Sequence, residues 1–138
     1  MSAAPPREPL VLVVDDDAGS RKAMALTLAT DGRRVEEFAD ADSALTRAID
    51  DPSVGLVVTD LKMPGKTGIE LASDLAAARP DVSVLLVTAF GDIDTLLKAK
   101  DLGTVDYVAK PVARDDLRLR ASAALGRARQ AGEIKQLL

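Results

Sequence analysis

The chain has 138 residues, 47% of them hydrophobic and 29% charged, with 22 acids against 18 bases and a formal charge of −4. It suits a single domain and lacks the clustered Lys and Arg of a nucleic-acid-binding surface. With no cysteine and no histidine, disulfides, thiolate metal sites, imidazole bases and imidazole phosphate carriers are excluded, and with them serine–histidine hydrolases and most zinc enzymes. Any metal must be held by oxygen.

Two Phe, one Tyr and no Trp leave the core to Leu, Val, Ile and Ala. Residues 1–8 read as a short, Pro-rich, disordered tail without the apolar centre of a signal peptide. No apolar run approaches the length of a membrane span, so a soluble, cytoplasmic protein without membrane contact is expected.

Leu10 to Val14 is a continuous apolar run that ends on Asp15, Asp16 and Asp17, the pattern of a strand buried on both faces. Ser20 to Thr30 has helical spacing, and Arg33 to Phe38 is a weaker strand. Ala41 to Asp50 reads as a helix capped by Asp40, with Ala44, Leu45, Ala48 and Ile49 on one stripe. A third strand, Val54 to Thr59, runs into Asp60. The Pro and Gly residues of 63–68 mark a loop, followed by a helix from Ile69 to Ala78. Val82 to Val87 is a fourth strand ending at Thr88. A helix over 92–102 is stopped by Gly103, and Asp106 to Val108 is a short fifth strand.

Arg114 opens a long last helix. Its positions Leu117, Ala121, Ala124, Ala128, Ala131, Lys135 and Leu138 could form a coiled-coil seam, but so many alanines match cheaply. Packing up to about Leu125, then an exposed extension, is the favoured reading. Residues 9–126 would form the domain, and 127–138 a helical extension that could link to another domain.

Strand and helix alternating five times implies a parallel sheet with helices on both faces, whose ligands gather beyond the carboxyl ends of the strands. Those ends carry Asp15 and Asp16, Asp60, Thr88 and Lys110. Singly, each has an ordinary account: loop acids capping a helix, a turn residue, a strand end, a solvated lysine. Together they fit one reaction. Three close carboxylates call for a cation, which oxygen ligands make Mg²⁺ or Mn²⁺. Asp60 can accept a phosphoryl group as an acyl phosphate, Lys110 can pair with a phosphate oxygen, and Thr88 can donate to another. Ala89 is small enough to leave the phosphate room.

In Val11–Asp17, Val57–Gly65, Leu85–Phe90 and Asp106–Pro111, the chain resembles the receiver domains of two-component response regulators. The resemblance implies a flavodoxin-like, doubly wound, five-stranded α/β fold with strand order 2-1-3-4-5. It makes the protein a phosphorylation-activated switch, not an enzyme beyond its own phosphorylation and dephosphorylation. Its donor would be a sensor histidine kinase or phosphotransfer protein.

The resemblance also makes Asp60 the phosphoacceptor and places Asp15 and Asp16 at the metal, Asp16 ahead of Asp15 as the direct ligand, with the Lys62 carbonyl as a further ligand. Thr88 and Tyr107 become a switch pair, and Lys110–Pro111 a cis peptide. A homodimer would form through the helix over 92–102, the fifth strand and the last helix, or through the last helix alone. No direct contact with nucleic acid is expected of this chain.

Thr67 and Thr104 depart from the family's usual Asp and Ala. Lys62, long and charged, is expected to shield an aspartyl phosphate from water. Two alternatives compete with this reading. Asp15-Asp16-Asp17 has the Asp-x-Asp spacing of a haloacid-dehalogenase-type phosphatase, although Ala18 and Gly19 follow instead of Thr and no cap fits in the length. A phosphate-blind interaction module with the same fold is the other.

Overall fold

The computed structural model describes residues 8–89 and 105–137, with side-chain surroundings through Gly126. Five strands, β1 (Leu10–Val14), β2 (Arg34–Phe38), β3 (Val54–Asp60), β4 (Ser83–Ala89) and β5 (Val105–Lys110), alternate with helices α1 (Ala18–Ala29), α2 (Ala41–Asp50), α3 (Gly68–Ala78) and α4 (Arg114–Leu137). All strand pairs are parallel, in the order β2-β1-β3-β4-β5. The helix expected over 92–102, with Gly103 and Thr104, lies outside the described residues.

The sheet divides an aliphatic core. Leu10, Leu12 and Val14 point to one face, where they meet Ala44 and Ala48 of α2 and Leu71 and Leu75 of α3. Val11 and Val13 point to the other, against Met24 and Leu28 of α1 and Leu117 and Ala121 of α4. Because both faces are covered, every residue of β1 is buried, which is why its sequence is a run and not an alternation. In α2, Ala44 and Ala48 are buried, but Ile49 is 53% exposed, so the apolar stripe is narrower than its sequence implies. On α4, Leu117, Ala121, Ala124 and Leu125 are buried; the exposed extension expected over 127–138 lies outside the described side chains.

Strand ends run further than hydrophobicity alone indicates. β3 includes Asp60, β4 includes Thr88 and Ala89, and β5 extends to Lys110. Ladder hydrogen bonds set these limits, and polar residues at a strand's carboxyl end satisfy them as well as apolar ones.

One arginine ties the opposite end of the sheet together. The Arg79 guanidinium, just after α3, donates to the carbonyls of Ala48, Asp51, Pro52 and Val54 and to the Asp81 carboxylate. Two of those carbonyls close the C-terminal end of α2, where helical partners run out. Arg79→Met keeps the volume but strips these acceptors, and is expected to cost roughly 2–4 kcal/mol in urea denaturation.

Candidate functional site

The register that pairs Val14 with Thr59 brings Asp15 and Asp60 out of the sheet side by side, at the switch point where strand order reverses. Carboxylate oxygens of Asp15, Asp16 and Asp60 all lie within 4.8 Å of one another. Asp15 and Asp60 are buried, while Asp16 is exposed. On the far side, Lys110 at the end of β5 reaches Asp60 Oδ1 at 3.3 Å, and the Lys110–Pro111 peptide is cis. Thr88 is buried and donates to the Ala89 carbonyl at 3.3 Å.

Asp17 leaves the cluster. Its carboxylate accepts from Gly19 N at 3.0 Å and caps α1, so the ordinary account of the acidic triplet holds for this member alone. The phosphatase reading needed Asp17 beside Asp15. Past Asp60, Leu61 and Met63 are buried in the α2–α3 face of the core, with Lys62 exposed between them. Thr67 caps α3 through a reciprocal capping box with Glu70, which explains why a hydroxyl suits that position. Tyr107 is 43% exposed, and the Arg120 guanidinium lies 5.6 Å from its ring centroid, within cation–π range. Arg120 is held there by Asp116 and Asp106.

Burial lifts the Asp60 carboxyl above the ordinary carboxylate range, the Asp15 charge adds to this, and Lys110 pulls the other way. Asp15 Oδ1 accepts from Asp17 N at 2.9 Å. Its Oδ2 is buried and accepts no hydrogen bond among the described residues. An all-oxygen donor set with mutually repelling charges and an unsatisfied buried oxygen fits a hard divalent cation.

The family model of the response regulator receiver domain matches residues 11–122. The chain belongs to this family. Receiver domains bind Mg²⁺ at an acidic pocket, partner with histidine kinases or phosphotransfer proteins, and serve phosphorylation-controlled signalling rather than metabolic catalysis. Among relatives, the C4-dicarboxylate transport transcriptional regulatory protein DctD of Rhizobium meliloti is 42% identical over 117 residues, covering 85% of this chain and 24% of DctD. The transcriptional regulatory protein FixJ of Bradyrhizobium diazoefficiens is 35% identical over 89% of this chain and 60% of FixJ. The chain thus spans about a quarter of DctD and 60% of FixJ, less than two thirds of either. The receiver domain of NtrX from Brucella abortus superposes with a TM-score of 0.78 at 34% identity, covering 84% of this chain and 98% of that one.

Arg21, Arg79 and Gly68 were not singled out from the sequence. Their partners are remote in sequence or are backbone atoms, and local periodicity does not report either. The Thr67–Glu70 box was readable from its Thr-x-x-Glu spacing.

Proposed function

We propose that Asp60 is the phosphoacceptor of this receiver domain, taking its phosphoryl group from a phosphohistidine of a sensor kinase or phosphotransfer protein. A carboxylate oxygen of Asp60 attacks phosphorus, the P–N bond breaks, and the imidazole leaves with the electron pair. The observation that carries this reading is three carboxylates within 4.8 Å of one another with Lys110 on Asp60 Oδ1.

Asp15, Asp16, Asp60 and the Lys62 carbonyl would hold Mg²⁺ or Mn²⁺, which when bound offsets their repulsion and neutralises charge on the phosphoryl oxygens. Lys110 leaves Asp60 to pair with a phosphate oxygen, and the Thr88 hydroxyl exchanges the Ala89 carbonyl for another. Tyr107, exposed beside Arg120, then turns inward and changes the surface built on β5 and α4. That surface would control an output or a dimer; the names of DctD and FixJ favour transcription as the output.

Incubation with acetyl phosphate and Mg²⁺ is expected to give a hydroxylamine-labile label on Asp60, absent from Asp60→Asn. A label on Asp15 would instead support the phosphatase reading, and none would support the phosphate-blind module. Lys62 is proposed to shield the acyl phosphate from water, so Lys62→Ala should hydrolyse it several-fold faster, as phosphate release from the labelled protein would show; an unchanged rate removes that role.

A further inference from the structure

Asp15 is held on every side but one. Its N–H donates to the Phe38 carbonyl of β2 at 3.1 Å, and its Oδ1 accepts from Asp17 N. Its own carbonyl accepts from Arg21 Nη1 at 2.8 Å. Arg21 Nε is in turn held at 3.3 Å by Glu37 Oε1 of β2. What remains is Oδ2, buried and without a hydrogen bond among the described residues.

Arg21 sits in an odd place for its helix. It lies at the end of the first turn of α1, where its N–H makes an early helical bond to the Asp17 carbonyl. A cation there opposes the helix dipole, and it pairs with Glu37 of β2 although Asp17 caps the same helix end. The stability of α1 therefore does not explain this side chain. Its two partners do: it bridges the turn that carries Asp15 and Asp16 to the neighbouring strand β2.

We infer that Arg21 is a positioning residue for the cation site, fixing the Asp15 peptide so that its carboxylate is held in place for a cation. The inference rests on the proposed metal-site reading of Asp15, Asp16 and Asp60. A supporting group that orients a ligand is worth about 10- to 100-fold in metal affinity.

Charge and positioning predict opposite signs here. A guanidinium near the site repels Mg²⁺, so if Arg21 acted through its charge, removing it would tighten binding. If it acts by holding the Asp15 carbonyl, removing it loosens the ligand and weakens binding. Calorimetric titration of the full chain with Mg²⁺, at a temperature where circular dichroism shows each variant folded, separates them. Arg21→Met is expected to bind roughly 10-fold more weakly than wild type. Arg21→Gln, equally neutral but with an N–H to offer the carbonyl, should fall between.

Binding by Arg21→Met as tight as wild type, or tighter, overturns the inference. If Arg21→Met does not fold, Arg21→Lys decides: charge alone leaves its affinity at the wild-type value, whereas a positioning role requires it to be weaker. A wild-type chain that binds no Mg²⁺ would sink the metal-site reading itself, and this inference with it.

Discussion

Asp60→Asn is expected to make the metal-free protein more stable at neutral pH, by roughly 1–3 kcal/mol, while abolishing its phosphorylation. Asp60 is buried beside Asp15, and burial and that neighbouring charge together hold its carboxyl above the ordinary range. A group whose folded-state pKa is raised contributes stability that is full below its unfolded value, near about 4. That contribution is lost as pH rises through the folded value. At neutral pH the ionised carboxylate is therefore a burden on the fold, which Asn lacks. The lost ion pair does not reverse the sign, since the Lys110 side chain is 34% exposed and recovers water. Urea denaturation should show the gap between variant and wild type at pH 7 closing as pH falls to about 4. Millimolar Mg²⁺ should close it from the other direction, stabilising the wild type by mass action more than the variant. An Asn variant less stable than wild type at pH 7 without metal would show that Lys110, not repulsion, dominates the site.

The same physics explains how much could be read from the sequence. A strand buried on both faces must be a run of aliphatics, so β1 and β4 were visible at once, and their carboxyl ends located the acids and Thr88. The convergence of the candidate site was legible because four strands each deliver a polar residue to one edge, which no single motif would establish. Polar extensions of strands were not legible: Lys110, with Ala109 before it, belongs to β5 although neither residue is buried. Asp17 could not be told from Asp15 and Asp16 by composition. Which acid caps the helix and which faces the pocket depends on backbone direction at the end of β1. The supports of the site were hidden more deeply. Arg21 works on a carbonyl six residues back and a carboxylate sixteen ahead, and Arg79 on carbonyls 25 to 31 residues away.

Gly68→Ala is expected to damage fold and site together, because this glycine is the point where α3 touches the backbone of Asp60. Its N–H donates to the Leu61 carbonyl at 3.0 Å. A Cβ there would collide with the Asp60 carbonyl oxygen and lie 3.1 Å from Leu61 Cα. These are backbone atoms held by the ladder to β4 and by the Leu61 N–H bond to Val87 at 3.0 Å, so they cannot swing aside as a side chain would. Either α3 lifts or the end of β3 shifts. Overpacking of this kind costs roughly 1–3 kcal/mol. A shift of Asp60 away from Asp15 and Lys110 should slow labelling by acetyl phosphate by roughly 10- to 100-fold. Gly65→Ala is the informative companion. Gly65 has a φ of +76° with nothing within 4 Å of where a Cβ would stand, so Ala there costs about 1 kcal/mol of backbone strain without pressing on Asp60. Stability and labelling should fall together in Gly68→Ala, whereas Gly65→Ala should lose stability and keep most of its labelling rate. Equal losses of labelling in both would mean that loop conformation, not contact of Gly68 with the Asp60 backbone, sets the geometry of Asp60.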